Sequence, residues 1–267
     1  MLAKRLLSVI VLIPVIAALA VVGGWPFALF VAAVLGVAAW EFWRIFHQGG
    51  YDPSWLVLIT SAVGLTLARY AWGFVHSDLL LALFALWSMG IQVVRYEMGR
   101  EQPASSFAIN LAGVVYVGWL GAYILSLRSL PDGTWWLMMV LGAVWLADGG
   151  AYLIGSQFGK HRMTPRVSPN KTWEGYFGGI ALSIPGTWLV ATLFQQQAAA
   201  ISGWKGLVIG AVIAILAPLG DLGMSMVKRQ FGVKDSSHLI PGHGGFLDRL
   251  DSILWAVALG YYLAVWL

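Results

Sequence analysis

Cysteine is absent from this chain of 267 residues, which can therefore form neither disulfides nor thiolate metal sites. Charged residues are also scarce: they make up 10% of the sequence, against about 25% in a soluble domain. No P-loop sequence is present, which excludes a Walker-type nucleotide site. Hydrophobic residues account for 59% of the chain. Because the deficit of charge extends over the whole length, the composition indicates a polytopic membrane protein.

Long apolar segments recur along the chain. A helix needs about 20 residues, within a range of roughly 17–25, to cross the hydrocarbon core of a membrane. The fifteen tryptophans suit interfacial belts, where aromatic rings lie at headgroup level. We predict an all-α polytopic integral membrane protein with about nine transmembrane helices, at Leu6–Val22, Pro26–Phe42, Trp55–Trp72, Leu79–Val94, Phe107–Leu127, Trp135–Gly155, Tyr176–Phe194, Leu207–Met226 and Phe246–Leu267.

The first segment has an alternative interpretation as a signal peptide. Lys4 and Arg5 precede the apolar run, and Ala18–Ala20 resembles a cleavage site. The run is long for the apolar region of a signal peptide, and a second spanning segment follows almost at once. Both features favour a transmembrane helix.

Nine spans place the chain ends on opposite sides of the membrane and sort the basic residues by side. Of the 16 Lys and Arg residues, only Arg69, Arg128 and Lys205 fall on one side, and all the others fall on the opposite side. The positive-inside rule therefore predicts a cytoplasmic N-terminus and cytoplasmic polar loops. Glu41, near the end of the second span, is predicted to pair with Arg44 at i,i+3.

The residues that suggest chemistry are concentrated in the second half of the chain. We expect residues 1–130 to form a scaffold and dimer region and residues 131–267 to form the catalytic region. The sixth span contains Asp148 and the eighth contains Asp221. An acid within the membrane indicates a functional site, and the structural alternative is a hydrogen bond that packs two helices.

The most polar stretch of the chain runs from Asp221 to Asp251 and holds four acids, four bases and two histidines. Asp221, Ser225 and Lys228 are spaced i, i+4, i+7, so they share one face of a helix. Asp248 and Asp251 are spaced i, i+3 and also share a face. Such faces can present acids to a metal and cations to phosphate oxygens.

Two loops are typical of phosphate binding. The glycines of Pro241–Gly245 allow backbone N–H groups to turn toward an anion, and the next helix N-terminus points its dipole at the same place. The loop after the sixth span contains Pro169, which disfavours a helix, and Thr172 is the predicted cap of the next helix. The alternative for this second loop is an ordinary basic surface. Its polar candidates are Ser168, Asn170, Lys171, Thr172 and Glu174.

Carboxylates and cations without cysteine indicate a hard metal ion among anionic oxygens. Mg²⁺ is held by one or two carboxylates together with substrate phosphates. Phosphoryl transfer depends on positioning and charge neutralisation more than on covalent chemistry. The residues alone thus predict a metal-dependent phosphotransferase that acts on a lipid.

Two other protein classes also place acids within a membrane. A secondary transporter would show inverted repeats and a site open to both sides, whereas the charges here lie toward one side. An intramembrane protease would not require this density of Lys and Arg. Both alternatives are therefore less favoured than a phosphotransferase.

The run S-M-V-K-R-Q-F-G-V-K-D-S-S-H-L-I-P-G-H-G-G-F-L-D-R-L-D, from Ser225 to Asp251, resembles the signature of the phosphatidate cytidylyltransferases. The resemblance extends to Asp148–Tyr152 and to Ser168–Gly175. It implies that CTP and phosphatidic acid give CDP-diacylglycerol and pyrophosphate in a dimeric enzyme of the bacterial inner membrane, with Mg²⁺ and room for a second cation. No nucleic-acid partner is expected. A related CTP-dependent lipid-alcohol kinase is the alternative.

The resemblance also implies roles for individual residues. Asp221 and Asp248 would be the main metal ligands, which Asp148 and Asp251 would complete. His243 would donate to the leaving pyrophosphate. The expected catalytic set is Asp148, Lys171, Asp221, Lys228, Arg229, Lys234, His243, Asp248, Arg249 and Asp251. The expected substrate-binding set is Ser168, Asn170, Lys171, Thr172, Glu174, Ser225, Lys228, Arg229, Lys234, Gly244 and Gly245.

Overall fold

The computed structural model of the protein describes residues 14–240 and 244–267, and these are almost entirely helical. Residues 14–22 are helical before the first complete helix. The helices that follow are α1 Gly24–Gln48, α2 Trp55–Trp72, α3 Ser77–Glu97, α4 Pro103–Gly113, a π-helical segment Val114–Trp119, α5 Leu120–Arg128, α6 Gly133–Phe158, α7 Trp173–Phe194, α8 Gly203–Leu216, α9 Pro218–Gln230 and α10 Leu247–Trp266. The strands are β1 Arg162–Thr164 and β2 Ser168–Thr172.

Among the described residues, seven helical segments are long and apolar enough to cross a membrane. They confirm an all-α polytopic membrane protein. The predicted first span, Leu6–Val22, lies partly outside the described residues, and the predicted ninth corresponds to α10, which is not one of the seven. The seven are Gly24–Gln48, Trp55–Trp72, Ser77–Glu97, Pro103–Arg128, Gly133–Phe158, Trp173–Phe194 and Gly203–Gln230.

Two local features differ from the predicted spans. The span Leu207–Met226 is divided at Ala217 into α8 and α9, because Pro218 has no N–H to continue α8 but fits the first turn of a new helix. A two-stranded antiparallel hairpin lies between α6 and α7, with Arg162 opposite Thr172. Prolines in and beside its strands disfavour a helix there.

The chain folds into two compact units. The first reaches to Ser126 and includes Gln230–Leu250. The second consists of Leu127–Arg229 and Asp251–Leu267. The prediction that residues 1–130 form a scaffold and dimer region and residues 131–267 the catalytic region concerns function, and it stays a prediction.

Each unit has its own packing. In the first, the side chains of Leu35 and Leu58 are fully buried, and Arg69 stacks against Phe74 with the guanidinium carbon 3.7 Å from the ring centroid. In the second, α6, α7 and α8 pack through small residues. A Cβ on Gly210 would lie 2.9 Å from the carbonyl oxygen of Ser183, so α7 and α8 approach closely.

Candidate active site

A cavity of about 560 Å³ lies in the second unit, between α6, the β1–β2 hairpin, α7 and the start of α9. Four of the predicted site residues line it, and four further polar side chains outside the predicted site set line it too. The predicted ones are Asp148, Asn170, Lys171 and Thr172, and the further ones are Tyr152, Ser156, Arg162 and Tyr176.

Helix α6 supplies one polar wall of the cavity. Asp148, Tyr152 and Ser156 are spaced four residues apart, so they lie along one face of the helix. Only Asp148 was selected from the sequence, as an acid within an apolar span. The same spacing rule, applied from Asp148 onward, would have found the other two.

Glycines bring the backbones of α6 and α7 together beside the cavity. A Cβ on Gly179 would lie 2.6 Å from the carbonyl oxygen of Ala147, and one on Gly175 would lie 2.8 Å from that of Ala151. Small residues at a helix interface permit this approach. Because Ala147, Ala151, Gly175 and Gly179 also line the cavity, the close crossing forms its floor.

Two side chains fix the hairpin to the start of α7. The hydroxyl of Thr172 accepts a hydrogen bond from the backbone N–H of Gly175 at 3.2 Å, which confirms the predicted cap. The carboxylate of Glu174 accepts bonds from the backbone N–H groups of Lys160 and His161, each at 3.1 Å, and contacts His161 Nδ1 at 2.5 Å. Glu174 was predicted to bind substrate, and in this structure its oxygens hold the loop that enters the hairpin.

The hairpin is joined to α9 at two points. Lys171 Nζ lies 2.5 Å from Asp221 Oδ2, and Ser225 donates to Asp221 Oδ1 at 3.1 Å, one helical turn away as the spacing predicted. Farther along α9, Arg229 Nε donates to the carbonyl oxygen of Val167 in the hairpin turn at 3.3 Å. The neighbouring Lys228 is buried. The structure thus brings Lys171, Asp221 and Ser225 together.

Asp248 organises a second cluster, in the first unit. Its Oδ2 accepts bonds from Ser236 N at 2.8 Å and Gly245 N at 2.9 Å, and Ser236 Oγ lies 2.9 Å from it. Gly244 has a φ of 81°, and a Cβ there would lie 2.7 Å from the same oxygen. Glycine is therefore required at position 244. The N–H of Gly245, expected to face a substrate anion, is directed at the protein's own carboxylate.

Glu41 belongs to the same cluster, and its predicted pairing with Arg44 is wrong. The carboxylate is fully buried, with Oε1 accepting from Ser237 Oγ and Phe246 N and Oε2 accepting from Ser236 Oγ and Leu247 N. Arg44 instead lies over the ring of Trp40. No local spacing pointed to this arrangement, because the partners lie about two hundred positions along the chain.

The remaining predicted residues are more dispersed. Lys234 and Arg249 are exposed, and Ser168 begins β2 opposite Thr164. Asp251 is buried and accepts from the N–H of Ser252 at 2.8 Å. His243 lies outside the described residues.

The described residues contain no group of three or more His, Asp or Glu side chains placed to hold a metal ion. The second unit instead offers single carboxylates near the cavity: Asp148 lines it, and Asp221 contacts Lys171, which lines it too. One or two carboxylates completed by phosphate oxygens is the usual way in which proteins hold Mg²⁺. The residues therefore fit a Mg²⁺ ion that binds together with a nucleotide, and the metal itself stays a prediction.

Comparison with known proteins matches the whole length of the chain. The sequence profile of the cytidylyltransferase family matches residues 3–267. A phosphatidate cytidylyltransferase from Brucella suis is 36% identical over 96% of this chain and 91% of its own length. Proteins of the same name from Pseudomonas aeruginosa and Bacillus subtilis are 34% and 32% identical, over 96% and 97% of this chain and 94% and 96% of their own lengths.

These matches confirm the resemblance that the Ser225–Asp251 run indicated. They reach the first half of the chain as well, where the sequence offered no motif. The chain therefore belongs to the cytidylyltransferase family and is a nucleotidyltransferase.

Proposed function

We propose that this protein transfers the cytidylyl group of CTP to phosphatidic acid, giving CDP-diacylglycerol and pyrophosphate. The observation that carries the proposal is the cavity of about 560 Å³, which the charged residues Asp148, Lys171 and Arg162 line in an otherwise apolar chain. Its volume falls within the roughly 300–1,000 Å³ typical of small-molecule sites. The family match and the names of the relatives support the same reaction.

The chemistry needs positioning and charge neutralisation. A phosphatidate oxygen, already anionic, attacks the α-phosphorus of CTP, the new P–O bond forms, and the bond to the β-phosphate oxygen breaks so that pyrophosphate leaves. No protein nucleophile takes part. Lys171 and Arg162 would neutralise phosphate charge, and fixed donors such as Asn170 would orient the nucleotide.

The proposed metal is Mg²⁺, with Asp148 and Asp221 as its ligands from the second unit. When bound, the ion would supply charge neutralisation at the phosphates. Asp248 and Asp251 stay predicted ligands. The opposite charges of Lys171 and Asp221 would keep the two side chains together until a nucleotide and its cation provide new partners for both.

The finer topology is also part of the proposal. We propose nine spans with the N-terminus and the site on the cytoplasmic side of a bacterial inner membrane, in a homodimer. The distribution of Lys and Arg supports this orientation, because only Arg69, Arg128 and Lys205 fall on the opposite side. A cytoplasmic site would meet a soluble nucleotide and the headgroup of a lipid.

The test is turnover by purified protein in detergent with phosphatidic acid and CTP, labelled either in the cytidine or in the γ-phosphate. We expect cytidine label in the lipid, release of pyrophosphate, and loss of both when a chelator is added. Transfer of γ-phosphate label to an added lipid alcohol would instead show a kinase. Transfer of neither label, with several metals tried, would contradict the proposal.

A further inference from the structure

Glu41 is a buried carboxylate that no step of the proposed reaction uses. It lies on α1, two-thirds of the way along a spanning helix, and its side chain is fully buried. Burying an ionisable group is costly unless its hydrogen-bonding capacity is filled. Each of its oxygens has two donors within hydrogen-bond distance, so that cost is offset by a set of donors drawn from one segment of the chain.

Those donors bracket the glycine loop. Ser236 and Ser237 precede Pro241–Gly245, whereas Phe246 and Leu247 follow it. Phe246 and Leu247 stand at the start of α10, where backbone N–H groups have no partner within the helix. The residue before α10 is Phe246, which has no side-chain acceptor to cap it. Glu41 supplies that cap from another helix.

The same cluster holds Asp248. The hydroxyl of Ser236 lies 2.9 Å from Glu41 Oε2 and 2.9 Å from Asp248 Oδ2, so it stands between the two carboxylates, which share its single proton. A Cβ on Gly245 would meet both Ser236 and Glu41, so the backbone of Gly245 packs directly against these two side chains. The position of Asp248 is thus tied to Glu41 through one hydroxyl and through the start of their shared loop.

We propose that Glu41 is a positioning residue for cytidylyl transfer, which fixes the start of α10 and the carboxylate of Asp248. The inference rests on the proposed function, in which Asp248 stays a predicted metal ligand. Glu41 acts through Ser236 and the N–H groups of Phe246 and Leu247 and touches no substrate itself. Its loss should therefore lower kcat and leave KM nearly unchanged.

The test compares Glu41→Gln with Asn110→Ala. Gln keeps the shape but places an NH₂ group against one of the two backbone N–H donors. Asn110 is buried in the same unit and accepts from Ser54 N at 2.9 Å, so its loss also removes buried hydrogen bonds. We expect Glu41→Gln to lower kcat about 100-fold per folded molecule, with KM for CTP within about two-fold. Asn110→Ala should lower thermal stability and leave kcat unchanged.

Three further single variants and one double variant locate the effect. Glu41→Asp keeps both acceptor oxygens and should restore part of the lost kcat. Ser236→Ala, which removes the hydroxyl between Glu41 and Asp248, should lower kcat more than Ser237→Ala, which removes contacts with Glu41 and the N–H of Leu239. In the Glu41→Gln background, Ser236→Ala should cost little more, because the link from Glu41 to Asp248 through this hydroxyl is already broken.

Amide hydrogen exchange tests the role of Glu41 without relying on turnover, so this test is independent of the proposed function. The amides of Phe246 and Leu247 should exchange faster in Glu41→Gln than in the wild-type protein or in Asn110→Ala. Unchanged exchange, or a kcat loss equal in Glu41→Gln and Asn110→Ala, would overturn the positioning role. If the wild-type protein transfers no cytidylyl group, the proposed function fails, and the exchange rates still decide whether Glu41 holds the start of α10.

Discussion

Lys171 Nζ lies 2.5 Å from Asp221 Oδ2, and this contact joins the β1–β2 hairpin to helix α9. Neither side chain is buried, with exposed fractions of 31% and 34%. An ion pair of this exposure contributes about 0–1 kcal/mol to stability. The pair is therefore too weak to explain the fold, and its position beside the cavity favours a role in binding charged substrate groups.

A charge reversal separates these two roles. Asp221→Asn should lower turnover at least about 100-fold while the protein still inserts and purifies. The double variant Lys171→Asp with Asp221→Lys should re-form the ion pair and still lack turnover. The reason is that the proposed roles require a positive charge at position 171, facing phosphate, and a negative charge at position 221, facing the metal. The measurement is kcat/KM for CTP in detergent.

The control for this experiment is Asp78→Asn, which neutralises an exposed acid in the first turn of α3 and should retain wild-type turnover. Recovery of most of the activity in the double variant would mean that Lys171 and Asp221 form a structural pair only.

Neighbouring glycines in α6 offer a matched pair of substitutions. A Cβ on Gly150 would lie 2.7 Å from the carbonyl oxygen of Gly178, whereas one on Gly149 would have nothing within 4 Å. Gly150→Ala should therefore push α7 away, cost about 1–3 kcal/mol and raise KM for CTP. Gly149→Ala should be neutral or stabilise by up to about 1 kcal/mol through helix propensity. Thermal unfolding in detergent checks both, and equal midpoints would contradict the close crossing of α6 and α7.

Glu174 is expected to affect substrate affinity through the hairpin. Its carboxylate holds the N–H groups of Lys160 and His161, so Glu174→Gln should loosen the strand that carries Asn170 and Lys171. We expect KM for CTP to rise about 10-fold, with a smaller effect on kcat. His161→Ala removes only the side-chain contact and should raise KM less. An unchanged KM in Glu174→Gln would show that the hairpin keeps its position without this carboxylate.

The absence of cysteine makes the topology directly measurable. Ser105 and Ser129 are exposed and lie at the two ends of the span Pro103–Arg128. With a cytoplasmic N-terminus, Ser129→Cys should react with an impermeant maleimide in intact cells, and Ser105→Cys should react only after permeabilisation. The reverse pattern would place the N-terminus on the outer side.

Local features of the site could be predicted from the sequence. Asp221 and Ser225 are one helical turn apart, which places their side chains within reach of each other. Thr172 stands just before an apolar run, where a helix cap is expected. Short-range geometry therefore determines both the Ser225–Asp221 bond and the cap. The acids Asp148 and Asp221 stood out because charge within an apolar span is costly. These residues belong to the second unit, where the cavity lies.

Glu41 was missed because its role depends on contacts between distant parts of the chain. Its bonds to Ser236 and Leu247 span 195 and 206 positions. Its nearest opposite charge in sequence, Arg44, suggested an ion pair at the membrane interface. The break at Pro218 was missed for a different reason: hydropathy summed over a window does not register the single N–H that a proline lacks.

The most direct test of the central claim follows the oxygens of the lipid phosphate. Phosphatidic acid labelled with ¹⁸O at every non-bridging phosphate oxygen is incubated with the purified protein, CTP and Mg²⁺, and both products are analysed by mass spectrometry. Attack by phosphatidate on the α-phosphorus of CTP predicts that all the label stays in CDP-diacylglycerol and none enters pyrophosphate. Loss of label from the lipid phosphate, or its appearance in pyrophosphate, would contradict the proposed reaction.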